Sequence, residues 1–257
     1  MLAGRSVFLL CGGPSTDQLP LQMLNRRGCF TFAVNNVAGH HGIRPQAFTC
    51  SDPPKKFHDA IWKDPSIMKI VPKQKLLGGK GRSGLRSKNS DGSLKRTTLP
   101  DGKSVMRVLH CPNVWGYNRR SWLMPDDTFF DDDGAAWGNH NEGVKRTGQP
   151  KTVCTMLLAM RLLRYMGASK VFMLGVDFNM TSERGYSFDQ QRYAGACKSN
   201  YSQFTIVNKW LCTMQENGVF DRWNIGFFNS NQNSGLRAFP YVPFLDALEH
   251  VCEGVDA

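Results

Sequence analysis

The sequence predicts an α/β fold built on a mostly parallel, Rossmann-like sheet with helices on both faces. Three observations carry that prediction. Short, mainly apolar runs recur at 7–10, 30–34 and 170–174, as expected of strands buried on both faces. Each run ends in glycine or small polar residues, the habit of strands whose carboxyl ends line a shared crevice. After the central third of the chain, apolar residues return with helical spacing. The 257 residues suit one large α/β domain over 1–257, with a basic insertion at 72–104.

The first run leads into Cys11-Gly12-Gly13-Pro14-Ser15-Thr16. Paired glycines let the backbone turn sharply and approach a ligand. Pro14 fixes its own φ, and Ser15 or Thr16 is placed to cap a helix over 17–25. A strand, a glycine turn and a helix start together offer N–H groups to a phosphate; an ordinary tight turn is the competing reading. A second strand over 30–34 ends at Asn35-Asn36, and a third over 46–50 ends at Ser51-Asp52. A short helix over 55–62 and a strand over 68–71 follow. Parallel strands of this kind gather Gly12, Gly13, Asn35, Asn36, Ser51 and Asp52 around one crevice.

From 72 to 103 the pattern collapses into Gly, Ser, Lys and Arg. The net charge of the chain is +11, and between Lys69 and Arg107 eleven cations face only Asp91 and Asp101, a local excess of +9. Such a stretch buries little apolar surface and reads as a loop or hairpin. Either it is simply solvated or it meets a polyanion, through Lys73, Lys75, Lys80, Arg82, Arg86, Lys88, Lys95 and Arg96. A further strand is expected over 105–110. Beyond it, Trp115, Tyr117 and Trp122 interleave with Arg119 and Arg120, a pattern in which bases stack while cations meet phosphates. Asp126, Asp127, Asp131, Asp132 and Asp133 form an acidic cluster, read as solvated rather than as a divalent-ion site. His140, in a Gly- and Asn-rich loop, is a candidate acid/base because imidazole titrates near neutrality; a structural histidine is the alternative.

The strongest helical pattern covers 152–166, with Thr152 as N-cap and Gly167 just past its end. It feeds the strand over 170–174 and then Gly175-Val176-Asp177-Phe178. Asp177 is therefore expected on the same sheet edge as Gly12 and Asn35. Helices over 201–216 and 243–251 flank a last strand over 225–228.

Composition closes off several classes. A hydrophobic content of 41% with 11% aromatic residues argues against wholesale disorder. No apolar run approaches the roughly 18 residues of a membrane span, and no signal-like core with a cleavage site opens the chain, so a cytoplasmic location is expected. Eight scattered cysteines without a C-x-x-C pair fit a reducing compartment, and the six histidines form no zinc motif. No metal site and no obligatory metal cofactor are expected. The turn is not G-x-G-x-x-G, and the second strand ends in amides rather than an acid; both disfavour hydride or methyl transfer. Amides suit a ligand edge that needs a donor and an acceptor together, such as a pyrimidine or a ribose.

Taken in order, Cys11-Gly12-Gly13-Pro14-Ser15, Phe32-Ala33-Val34-Asn35-Asn36, Gly175-Val176-Asp177-Phe178 and Tyr186-Ser187-Phe188-Asp189 resemble bacterial sialyltransferases of the GT-A-like, single-Rossmann type. The same order occurs in a wider group with phage-encoded relatives and a hydroxymethylpterin pyrophosphokinase. The resemblance covers the first ~55 residues and 149–233, leaving the basic middle outside. It implies a nucleotide-sugar donor as co-substrate, held by Gly12, Gly13, Ser15 and Asn35, with Thr152 or Thr155 near the phosphate; Pro14, Asn36 and Asp52, on the same turn and strand ends, are expected to join them. Two departures stand out. Gly12 replaces an asparagine of those enzymes, and their catalytic histidine has no counterpart between Arg192 and Gln203. The base must then be another group, Asp189 or His140, with Asp177 orienting the donor or its loop.

The function expected is a nucleotide-sugar-dependent glycosyltransferase. Its acceptor is proposed to be polyanionic, hydroxylated bases in DNA being the economical choice for a phage-encoded enzyme in the host cytoplasm. Two rivals stand beside it: a Mg²⁺-dependent pyrophosphokinase drawing on Asp131 to Asp133, and a non-catalytic nucleic-acid-binding module.

Overall fold

The computed structural model describes residues 1–39, 42–50, 59–72, 86–88, 94–96, 111–117, 129–130, 154–179, 185–187 and 194–252. Seven strands form a single sheet: β1 (Ser6–Leu10), β2 (Thr31–Val34), β3 (Ala47–Thr49), β4 (Met68–Pro72), β7 (Val114–Tyr117), β8 (Lys170–Leu174) and β9 (Gly226–Asn229). Their spatial order is β7-β4-β3-β2-β1-β8-β9. All six pairings in it are parallel. The chain builds outward from β1 in one direction, then returns to add β8 and β9 on the other side. The order therefore reverses between β1 and β8, where Ser6 pairs with Lys170 and Leu10 with Leu174.

Strand residues alternate between two cores. Val7, Leu9, Phe32 and Val171 join one cluster, while Phe8, Leu10, Ala33 and Phe172 join the other. Both faces are covered, which is why β1 and β8 read as continuous apolar runs. The first face carries α2 (Thr155–Tyr165), α3 (Ala194–Glu216) and α4 (Val219–Arg222). The second carries α1 (Asp59–Lys63), α5 (Phe244–Cys252) and two 3-10 turns, Pro14–Gln18 and Leu21–Asn25. Trp62 is fully buried there, edge-on to Phe48 with 5.4 Å between centroids.

Several element expectations need correction. The helix expected over 17–25 is two 3-10 turns, because Pro20 lacks an N–H and disfavours α geometry at Leu19. The helix expected from 152 begins at Thr155 with Cys154 in the capping position; Thr152 lies outside the described residues. Of the helix expected over 55–62, the described part is Asp59–Lys63, and 55–58 lie outside the described residues, while α3 starts at Ala194 rather than 201. The stretch around Trp115 is an edge strand, β7, paired to β4. The strand expected over 105–110 lies outside the described residues.

Within the basic stretch, β5 (Arg86–Lys88) and β6 (Leu94–Arg96) form an antiparallel ribbon that pairs Arg86 with Arg96 and Ser87 with Lys95. Lys69 is fully buried in β4; its Nζ donates to the Asp64 carbonyl and, at 2.9 Å, to the Pro112 carbonyl. This lysine belongs to the fold's interior. The cationic excess left for a partner is correspondingly smaller by one.

Candidate functional site

The site grows from the seam between the exits of β1 and β8. Cys11 N–H donates to the Leu174 carbonyl and Gly13 N–H to the Gly175 carbonyl, each at 2.8 Å. The glycines are required by this closeness. A Cβ on Gly13 would lie 2.5 Å from the Gly175 oxygen and 2.6 Å from Asp177 Oδ2. Gly175 has a φ of +67°, and a Cβ there would collide with the Cys11 carbonyl. Asp177 is buried against the same turn. Its carboxylate accepts from Ser15 N–H at 2.9 Å, from Ser15 Oγ at 2.5 Å and from Asn231 Nδ2 at 2.7 Å. Three donors hold that carboxylate in one orientation. Thr16 Oγ1 donates to the Gly13 carbonyl at 2.8 Å, completing the turn.

Three of the N–H groups expected to face a phosphate are thus already committed. Gly13 donates to Gly175, Ser15 to Asp177 and Thr16 to Gly13. The following helix is a 3-10 turn of five residues, Pro14–Gln18, rather than an α-helix with a developed dipole.

Over the seam lies a cleft of about 770 Å³, its solvent-open mouth included. The exits of three strands form its floor: Cys11 to Pro14 after β1, Val34 and Asn35 from β2, and Gly175 to Asn179 after β8. Thr155 and Met156 at the start of α2 close one side, and Gly185, Tyr186, Asn200, Gln203 and Phe204 the other. Two lining residues hold left-handed backbone, Asn35 at φ +57° and Phe178 at φ +52°. Asparagine tolerates that region; for phenylalanine it is strained, and such strain gathers where a site is held in shape. The Phe178 and Phe204 rings stack at 4.7 Å and 12°.

Two cysteines share this floor. Burial pushes the Cys11 thiol well above its ordinary range, reinforced by the nearby Cys154 and Asp177. Burial also raises Cys154, against the opposing pull of the Leu157 and Met156 amides. Both stay protonated near neutrality, so neither is a ready nucleophile.

Of the residues expected to share a crevice, Gly12, Gly13, Pro14, Asn35, Thr155 and Asp177 line this one. Ser15 lies beneath it, bonded to Asp177. Asn36 lies in the 3-10 turn Asn35–Gly39 but is not among the lining residues. Asp52, Thr152, His140, Asp189, Lys73, Lys75, Lys80, Arg82, Arg119 and Arg120 lie outside the described residues, as do Asp131 to Asp133. Arg86, Lys88, Lys95 and Arg96 are placed on the β5–β6 ribbon by backbone alone. Trp115 is 59% exposed on the edge strand, its Nε1 donating to Asn113 Oδ1 at 3.0 Å. Tyr117 instead turns into the core. Among the described residues no group of three or more His, Cys, Asp or Glu is placed to hold a metal ion. No helix among them is long and apolar enough to cross a membrane.

Sequence reasoning missed the loop after β9, which braces the site from below. Asn231 N–H donates to Asn229 Oδ1, and Asn233 N–H to Asn231 Oδ1. Ser234 Oγ donates to the Val176 carbonyl at 2.6 Å, and Gly235 N–H to the Asp177 carbonyl at 2.7 Å. The available signal was Asn229-Ser230-Asn231-Gln232-Asn233-Ser234 directly after a strand, a density of side chains able to bond nearby backbone.

No protein-family model matches the sequence, and no curated protein does. Among solved structures, the chain is similar to the sialyltransferase CstII from Campylobacter jejuni in complex with a substrate analogue, cytidine-5'-monophosphate. That match has a TM-score of 0.51 at 12% identity and covers 95% of this chain and 87% of the other. In fold, the chain resembles CstII. A CstII complex with a trisaccharide acceptor and CMP gives a TM-score of 0.48 at 12% identity, over 94% and 88% of the two chains. The likeness to CstII extends to the α/β, Rossmann-like architecture of the parallel sheet and its flanking helices.

Proposed function

We propose that the protein is a glycosyltransferase that moves a sugar from a nucleotide-sugar donor to an acceptor hydroxyl. The observation that carries this reading is the cleft over the β1–β8 seam. It opens at the carboxyl ends of parallel strands where their order reverses, the position at which such sheets hold nucleotides. The fold shared with CstII, a sialyltransferase described with CMP, supports it and makes a cytidine nucleotide the first to test.

In this reading the Asn35 amide meets the base or ribose edge, and Gly12 to Pro14 form the floor beneath. Thr155 and the start of α2 meet the phosphate, since the N–H groups of Gly13, Ser15 and Thr16 in the glycine turn are occupied. Asp52 and Thr152 are proposed to complete the donor site. Asp177 is a positioning residue whose carboxylate is consumed in fixing the turn. The acceptor oxygen attacks the anomeric carbon, and the bond from that carbon to the phosphate oxygen breaks with its electron pair leaving on the nucleotide. The acceptor proton passes to Asp189 or His140. The acceptor itself is proposed to be DNA carrying hydroxylated bases. Lys73, Lys75, Lys80, Arg82, Arg86, Lys88, Lys95, Arg96, Arg119 and Arg120 would meet its backbone, with Trp115 available for stacking.

A thermal-shift series with cytidine, uridine, guanosine and adenosine mono- and diphosphates tests the donor site. One nucleotide should stabilise the protein, and the effect should vanish in Asn35→Ala. If none of the series stabilises the protein, the reading is wrong. For the acceptor, binding of labelled duplex should weaken steeply between low and moderate salt; binding indifferent to salt removes DNA.

A further inference from the structure

Away from the cleft, two cysteines meet across the fold. Cys29 lies just ahead of β2, and Cys252 is the last residue of α5. Although 223 positions apart, their Sγ atoms are 3.2 Å from each other. A disulfide requires about 2.05 Å, so bonding needs an approach of only roughly 1 Å.

Both partners are held by independent contacts. Cys29 N–H donates to the Arg26 carbonyl at 3.2 Å, and Arg5 Nη2 donates to the Gly28 carbonyl at 2.6 Å. On the other side, Phe244 of α5 packs on Phe8, 6.1 Å between centroids, and His250 stacks on Phe172 at 5.8 Å and 7°. The sulfurs are therefore neighbours by the packing of the sheet. Cys29 is buried and Cys252 is half-buried, which leaves one thiol open to a reagent and its partner directly behind it.

We propose that Cys29 and Cys252 are a disulfide-forming pair that fastens the terminal helix to the sheet. With glutathione disulfide as oxidant, the Cys252 sulfur, as its thiolate, attacks one glutathione sulfur. The S–S bond breaks and one glutathione thiolate leaves. Cys29 then attacks the Cys252 sulfur of the mixed disulfide and expels the second. Each protein sulfur gives up one electron; the two glutathione sulfurs gain them and take the two thiol protons. Burial, with the Cys252 sulfur beside it, pushes the Cys29 thiol up against the weaker opposing pull of Arg26 and Arg5, so that second step quickens as pH rises.

The bond forms at the amino edge of the sheet, opposite the cleft. It is accordingly a staple, and the cleft keeps its shape. Closing so long a loop restricts the unfolded chain strongly, and a rise in melting temperature of roughly 5–15 °C is expected.

The test uses the full chain, reduced and then equilibrated with glutathione disulfide. Intact mass should fall by two hydrogens, disulfide mapping should join Cys29 to Cys252, and the melting temperature should rise. Cys252→Ser should abolish both the mass loss and the thermal gain, while Cys212→Ser should leave them. Because Cys252 is half-buried, its serine variant is expected to fold; the melting curve of its reduced form verifies this. A mass loss that persists in Cys252→Ser, a linkage through other cysteines, or arrest at a glutathione adduct on Cys252 would overturn the proposal.

Discussion

Gly13→Ala probes the seam on which the cleft rests. Gly13 has φ −70° and ψ 151°, a conformation that alanine adopts without strain. Whatever the substitution costs is therefore collision and not backbone preference. The new Cβ would lie 2.5 Å from the Gly175 carbonyl and 2.6 Å from Asp177 Oδ2. Neither obstacle yields easily, one being backbone and the other a carboxylate held by three donors. Relief requires the two strand exits to part by most of an ångström. That stretches the Gly13–Gly175 hydrogen bond of 2.8 Å and the two Ser15–Asp177 bonds. Overpacking of this kind costs about 1–3 kcal/mol, and the weakened bonds, two of them to a charged acceptor, add about 1–2 kcal/mol. The expected loss is about 2–5 kcal/mol, or roughly 4–20 °C in melting temperature for a chain of this size. Gly4→Ala supplies the contrast. Its φ is +69° with nothing near the new Cβ, so only the left-handed penalty of about 1–2 kcal/mol applies. Urea unfolding followed by circular dichroism measures both. A Gly13→Ala variant within about 1 kcal/mol of the parent would refute the argument that the seam admits no Cβ.

Three further predictions follow from the same geometry. Asn231→Ala removes one of the donors to the buried Asp177 and should cost about 1.5–3 kcal/mol in urea unfolding, with weaker nucleotide stabilisation as its second readout. Lys69→Met strips the donor from the Asp64 and Pro112 carbonyls; a loss of about 1–3 kcal/mol is expected, again by urea unfolding. Burial, with the Cys252 hydrogen bond behind it, pushes the Cys29 thiol up to about 12. The folded protein then holds that proton where the unfolded chain has lost it, so stability is complete below pH ~8.5–9 and declines as pH rises toward about 12. Cys29→Ala should flatten that part of the stability profile relative to the parent.

What the sequence made legible follows from how strongly burial constrains each segment. The strands β1, β2 and β8 are covered on both faces, so their apolar runs stood out. β7 escaped because an edge strand exposes Trp115 and carries Gly116, and neither alternation nor a continuous run survives. The 3-10 turns after β1 read as a helix because Ser15 and Thr16 offer a cap, whereas Pro20 interrupts α geometry. At the site, glycine and asparagine at the strand ends pointed to the cleft. Their local chemistry was less accessible: the glycine turn reads as a phosphate cradle, whereas its amides close onto Gly175 and Asp177, partners some 160 positions away. Long-range pairing of that kind leaves no local trace. The same holds for Asn231, whose role depends on where Asp177 lies.

The register between β1 and β8 also bears on how the chain is made. Ser6 pairs with Lys170 and Leu10 with Leu174, so β1 waits through a long stretch of synthesis before its second neighbour exists. Until then one flank of β1, apolar and with unmatched backbone groups, stays open on a half-built sheet. Assembly of this topology is intrinsically slow. The emerging chain is most exposed to aggregation while residues 1–117 have left the ribosome and 170–174 have not.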